Sequence, residues 1–247
     1  MTITARQGVR HGWRLAVPLI AGSALAFAAV PALANGQAAN GQVQAPATAP
    51  TTAPATPAPA ATPVEYVYVA MVTSEGTITF ALDKTHAPLT TANFLKYVDA
   101  KKFDGTTFYR AMHLDWGDEP TGLLQGGLQG IKVLAPVAHE PTTQTGLHHT
   151  SGTISMARYA PGTATADFTI MVGDVKSLDA TPSADNPDLK AGFAAFGHVV
   201  SGMDVVRKIW DAPRSATKGE GVMRGQMLAP PVKIVSARRV PAPPAAQ

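Results

Sequence analysis

Between Tyr66 and Arg238 the chain is cut into short β-rich segments separated by glycine, proline and small polar residues, and this pattern limits the folds open to it. Tyr66–Val72 and Thr77–Leu82 begin the series. The second alternates strictly, with Ile78, Phe80 and Leu82 on one face, and Ser74-Glu75-Gly76 predicts a hairpin turn between the two. Further strands are expected at Thr106–Met112, Leu123–Gln125, Gly152–Ala157, Phe168–Val172, Phe196–Val200 and Val232–Arg238. Helical spacing occurs twice. In Leu89–Val98, Phe94, Leu95 and Val98 share a face, Thr90 or Thr91 is the expected cap, and Pro88 bars extension upstream. In Met203–Trp210, after Ser201-Gly202, Val205, Val206 and Ile209 are the residues to bury. Helices that do not alternate regularly with strands argue against a doubly wound parallel sheet and for a closed or sandwiched antiparallel one. The expected fold class is mainly β: a closed eight-stranded antiparallel barrel capped by two helices.

The chain outside this region has a different composition. Residues 1–34 carry Arg6, Arg10 and Arg14 with no acidic residue, then an apolar run from Leu15 to Val30 and Pro31-Ala32-Leu33-Ala34. This predicts a secretory signal peptide cleaved after Ala34, since signal peptidase accepts only small side chains at its two recognition positions. Retention as an anchor is the alternative, but the run is short for a span of about 20 residues and Pro18 interrupts it. Asn35–Pro63, with six prolines and no charge, cannot bury enough apolar surface to offset its ordering entropy and is expected to be a disordered linker. The tail 241–247 is of the same kind, leaving 64–240 as one domain. Without cysteine there is no disulfide framework, thiol nucleophile or Cys-ligated metal, so an apolar core must carry stability. Removing residues 1–34 leaves 17 basic against 17 acidic residues, a balance that gives no electrostatic case for nucleic acid or an anionic membrane. An exported chain of this kind suits a bacterial periplasm.

Six motifs follow in order: Gly76-Thr77-Ile78, Ala87-Pro88-Leu89-Thr90-Thr91-Ala92-Asn93-Phe94, Phe108-Tyr109-Arg110, Gln125-Gly126-Gly127, Gly152-Thr153-Ile154-Ser155-Met156-Ala157 and Ala195-Phe196-Gly197-His198-Val199. With the Gly202-Met203-Asp204-Val205-Val206 helix start, their order and spacing resemble the cyclophilin-type peptidyl-prolyl cis-trans isomerases over about Tyr66–Val240. The resemblance implies an eight-stranded barrel with two helices, no metal or organic cofactor, a monomer, and rotation of X–Pro bonds in client segments as the activity. With the export signal, those clients would be proline-containing segments of other exported proteins, whose folding the domain would assist. Arg110 falls on the family's catalytic arginine and Gln125 on the glutamine that orients it or holds the substrate backbone. By position, the candidate substrate-binding residues are Phe108, Leu123, Met156, Ala157, Arg158, Asp167, Thr169, Leu189 and Phe193.

Several positions depart from the family pattern. Fourteen residues separate Arg110 from Gln125, about twice the usual number, so an insertion at roughly His113–Thr121 is expected at the rim, with Trp116 as a possible aromatic wall. The family's pocket aromatics fall on Gly122 and Thr169, its second glutamine on Asp167, its asparagine on Arg158 and its histidine on Phe193. Phe168, by alternation, faces away from the site. These changes predict a reshaped proline pocket. The alternative is a catalytically weak or inactive periplasmic peptide-binding or chaperone-like module on the same barrel. His139-Glu140 and His148-His149 lack metal-ligand spacing, adjacent histidines on a strand pointing to opposite faces. Gly126-Gly127-x-x-Gly130 lacks the Lys-Ser/Thr of a phosphate loop and reads as a turn, and His148, Ser151 and their neighbours form no nucleophile elbow.

Overall fold

The computed structural model describes residues 63–114 and 119–244. The expected signal peptide and almost all of the expected linker lie outside the described residues, as do Trp116 and residues 245–247. The elements in order are β1 (Tyr66–Thr73), β2 (Gly76–Asp83), α1 (Pro88–Asp99), β3 (Thr107–Leu114), β4 (Thr121–Gly127), α2 (Thr142–Thr145), β5 (Thr153–Met156), β6 (Phe168–Val172), α3 (Pro187–Ala191), β7 (Ala195–Ser201), α4 (Met203–Trp210), β8 (Arg214–Ser215) and β9 (Met227–Val240). The sheet runs β1-β2-β7-β5-β6-β4-β3-β9, and β9 pairs back onto β1, closing an antiparallel ring of eight strands. The two-residue β8 adds only to β9. The expected barrel is therefore present. The helices exceed the two expected, because α2 and α3 are single turns too short for a periodic signal.

The interior is filled by phenylalanines. Phe168 stands at its centre, its ring centroid 5.4 Å from Phe94, 5.6 Å from Phe103, 5.7 Å from Phe108 and 6.5 Å from Phe80, all but edge-on. Helix α1 packs on β2, β7 and β9, and α4 on β2, β3, β4 and β6. The α4 residues that bury are Val206, Ile209 and Trp210, while Val205 is only half-buried.

Two buried polar clusters tie loops to this frame. Helix α1 is not capped by Thr90 or Thr91 as expected, since the helix starts at Pro88 and both threonines lie inside its first turn. Glu140, 1% exposed and remote in sequence, supplies the acceptor instead. Its carboxylate accepts from the amides of Leu89 (3.2 Å) and Thr90 (2.7 Å) and from the Thr90 hydroxyl (2.6 Å), placing negative charge where free N–H groups and the helix dipole favour it. Thr91 donates to the carbonyl of Asp83 at 2.8 Å. In the second cluster, His149 is fully buried between Asp179 Oδ1 at 2.6 Å from Nδ1 and Ser155 Oγ at 2.8 Å from Nε2. Burial pushes its pKa down, against the opposing pull of Asp179. His149 is thus neutral, donating from Nδ1 to the carboxylate and accepting the Ser155 hydroxyl proton at Nε2.

Replacing Glu140 by Ala should lower the unfolding free energy by about 2 kcal/mol in urea titrations, and Glu140→Gln should cost less because it keeps an acceptor. For His149 the folded pKa lies below the unfolded value of about 6.5, so the unfolded chain binds the extra proton first. Stability should be level above that pH and decline as pH falls below it. Thermal melts at pH 7.5 and 5.5 check this, with His149→Asn expected to show a smaller decline.

Candidate active site on the outer wall of the barrel

The site begins with a bulge. Phe108 pairs with Gly126 and Arg110 with Gln125, leaving Tyr109 as an extra residue in β3. Phe108 and Ala111 point into the core, whereas Tyr109, Arg110 and Met112 lie on the outer side. Along the ladder, Arg110, Gln125 on β4, Thr169 on β6 and Ser155 on β5 stand opposite one another as a polar row across four strands. A parallel apolar row, Met112, Leu123 and Met171, lies two residues along, packed with Leu114, Val175 and Leu178.

Arg110 is held from three sides. Nε donates to Gln226 Oε1 at 2.8 Å, Nη1 to Gln125 Oε1 at 2.8 Å, and Nη2 reaches Met112 Sδ at 3.5 Å. Of five guanidinium protons, these use three and leave one on each terminal nitrogen. Gln125 is itself fixed: its amide nitrogen donates to the Tyr109 hydroxyl at 2.7 Å, and that hydroxyl donates to Asp167 Oδ1 at 3.0 Å. A cation at one end and a carboxylate at the other set the direction of every bond, so a flipped Gln125 would turn its NH₂ onto the guanidinium. Burial, then Asp167, pushes the Tyr109 pKa upward, keeping the phenol protonated. Burial lowers the Arg110 pKa, but an arginine remains charged. Asp167 approaches because residue 127 is glycine: φ is +135°, and a Cβ there would sit 2.7 Å from Asp167 Oδ1.

The residues singled out from sequence divide into groups. Arg110, Gln125, Leu123 and Thr169 meet on the outer wall, and Asp167 joins them through Tyr109. Phe108 and Met156 do not: both are core residues, at 0% and 1% exposed, so neither side chain can touch a peptide. Arg158 is also corrected. Its side chain, 2% exposed, donates to the carbonyls of Gly192 (2.6 Å) and Tyr159 (3.0 Å) and to Asp188 (2.9 Å), and lies over the Phe193 ring at 4.5 Å. Those bonds fasten α3 and its C-terminal turn and leave the Arg158 side chain and the covered Phe193 face occupied. Leu189 is half-exposed on α3, and Ala157 donates its amide to the Asp167 carbonyl at 2.8 Å. The expected insertion is largely a longer hairpin, since β3 runs to Leu114 and β4 starts at Thr121. Gly122 faces Trp210, and a Cβ there would strike the Met112 carbonyl, which accepts from the Trp210 indole at 2.9 Å. Gly126 and Gly127 belong to β4 and not to a turn.

Tyr109 and Gln226 were not legible as site residues. Strict alternation turns Tyr109 away from Arg110, and only the bulge reverses this. His148 and His149, expected on opposite strand faces, sit in a loop and both reach Asp179, His148 Nδ1 at 2.9 Å. Ser155, His149 and Asp179 follow the bonding order of a nucleophilic triad, but Ser155 is 0% exposed and no substrate carbonyl reaches it. No metal-holding group of three His, Asp or Glu occurs among the described residues.

Comparisons with known proteins bear on the family and the fold. The family model described as cyclophilin type peptidyl-prolyl cis-trans isomerase matches residues 68–239. The chain is 36% identical over 174 residues to a peptidyl-prolyl cis-trans isomerase of Acinetobacter baylyi, covering 68% of this chain and 82% of that protein. It is 35% identical over 148 residues to peptidyl-prolyl cis-trans isomerase B of Escherichia coli, covering 57% and 82%. Among solved structures, the cyclophilin-type isomerase of Cryptosporidium parvum superposes with a TM-score of 0.55 at 17% identity, over 72% of this chain and all of that one, a likeness of fold. By its sequence match across the whole barrel, this chain belongs to the cyclophilin-type peptidyl-prolyl cis-trans isomerases.

Proposed function

We propose that the domain rotates X–Pro bonds in extended segments of exported proteins, as a periplasmic monomer that assists their folding, with Arg110 as the catalytic residue. The observation that carries this is the clamped guanidinium with two unused N–H groups beside an apolar wall. Conjugation gives the X–Pro bond a barrier of about 18–20 kcal/mol and an exchange time of tens to hundreds of seconds. No bond to the proline is made or broken, so neither a nucleophile nor a general base is required. The twisted amide differs from both ground states in that its nitrogen has regained a lone pair. A fixed N–H aimed at that nitrogen therefore stabilises the transition state alone, which is the condition for acceleration. The proline ring packs against Met112 and Leu123, and Gln125 keeps the fork in plane. The exported location and clients rest on the signal-like residues 1–34.

A second reading, a peptide-binding module without useful turnover, is favoured by Thr169, whose short polar side chain gives the proline ring little apolar area. The test is the cis-to-trans rate of neutral proline tetrapeptides with residues 35–247 and with Arg110→Ala and Arg110→Lys. The isomerase reading expects acceleration by the wild type, a loss of about 10²–10³-fold in Arg110→Ala, and partial activity in Arg110→Lys. Binding without acceleration across several residues before proline establishes the second reading.

A further inference from the structure

One well-formed concavity among the described residues lies apart from Arg110. It is a cleft of about 410 Å³ lined by Lys102, Thr107, Gly127, Gln129, Ile131 and Lys132, among others. Three observations point to a ligand there. First, its rim holds two lysines that enter no ion pair among the described residues; Lys102 Nζ is pinned over it by donating to the Lys132 carbonyl at 3.1 Å. The nearby carboxylates already have partners. Asp104 pairs with Arg238 at 2.6 Å, and Asp167 accepts from Tyr109 and from the Gln129 amide at 2.9 Å. Second, the backbone around the cleft is strained: Lys101 (φ 54°), Gln129 (φ 51°) and Lys132 (φ 54°) are the non-glycine residues with positive φ among the described residues. Such strain persists only where surrounding structure imposes it, and it clusters at binding sites. Third, the cleft shares the outer wall with Arg110. Thr107 pairs with Gly127 two β4 positions beyond Gln125, about 7 Å along the strand, and Tyr109 and Asp167 stand between. An extended peptide covers that distance in two to three residues.

We infer that this cleft is an accessory subsite that takes an aspartate or glutamate of the client, two to four residues from the proline held at Arg110. The inference rests on the isomerase reading of the Arg110 site. Exposed Ile131 offers apolar contact for the aliphatic stem, and Lys102 and Lys132 receive the carboxylate. Client choice would follow charge near the proline as well as the residue before it.

The experiment uses proline peptides that carry Glu, Gln or Lys at each of two, three and four residues before or after the proline. Rates are measured at low and at about 0.5 M salt, with wild type and a Lys102→Gln/Lys132→Gln variant. At one or more of these positions, the Glu peptide should exceed its Gln counterpart about fivefold in kcat/KM, through KM, and the Lys peptide should fall below it. Salt and the double variant should each bring the Glu/Gln ratio close to one. Equal ratios at every position in an active wild type overturn the subsite while leaving the isomerase reading intact. If no peptide is accelerated, the isomerase reading fails, and titration of the same peptides decides the subsite. Tighter binding of Glu peptides that is lost in the variant supports it, and equal binding overturns it.

Discussion

The antiparallel pairing of β1 with β9 converts a sheet into a closed wall, and the rest of the molecule follows from that closure. An eight-stranded ring leaves no free edge, and its interior is only wide enough for side chains. Here six phenylalanines, Phe168 at their centre, pack that interior. Nothing of peptide size enters, so chemistry has to be built on the outside, from residues that the β period turns away from the core. The outer wall is a poor place to hold a charge still. A surface arginine on one strand would sample many rotamers, and fixing it takes partners from other strands.

The bulge at Tyr109 supplies one of those partners. It brings two consecutive residues to the same side of β3, so the tyrosine can support the glutamine that supports the arginine. The four groups run from the Asp167 carboxylate to the Arg110 guanidinium, and opposite charges at the ends align every dipole between them. Gln226 completes the clamp on Nε from the residue before β9. Ordering a long side chain has an entropic cost of up to about 2 kcal/mol. Here folding meets that cost, so substrate binding need not.

The sequence carried the architecture well because strands are written in local patterns. Phe168–Val172 and Met203–Trp210 have the boundaries expected of them, and alternation placed Phe168 in the core. What it did not carry are features set by distant neighbours. The cap of α1 comes from Glu140, about fifty residues from the helix start, while local rules pointed to Thr90 or Thr91. Gln226 lies 116 residues from Arg110 and has no motif of its own. Family position made Arg158, Met156 and Phe108 look like peptide contacts, whereas burial assigns them to the frame. A bulge defeats the period-two rule at Tyr109, and loop geometry defeats it again at His148 and His149, which converge on one carboxylate.

The central claim is that a fixed, permanently charged donor lowers the barrier without proton transfer. The most direct test is the pH dependence of kcat/KM for a neutral proline peptide between about pH 7 and pH 9.5, above the titration range of histidine and below that of arginine and the raised tyrosine. The account predicts a flat profile and no solvent deuterium isotope effect. A limb with a slope near one per pH unit, or a bell with its apex in that window, would show that a titrating group takes part and would contradict it.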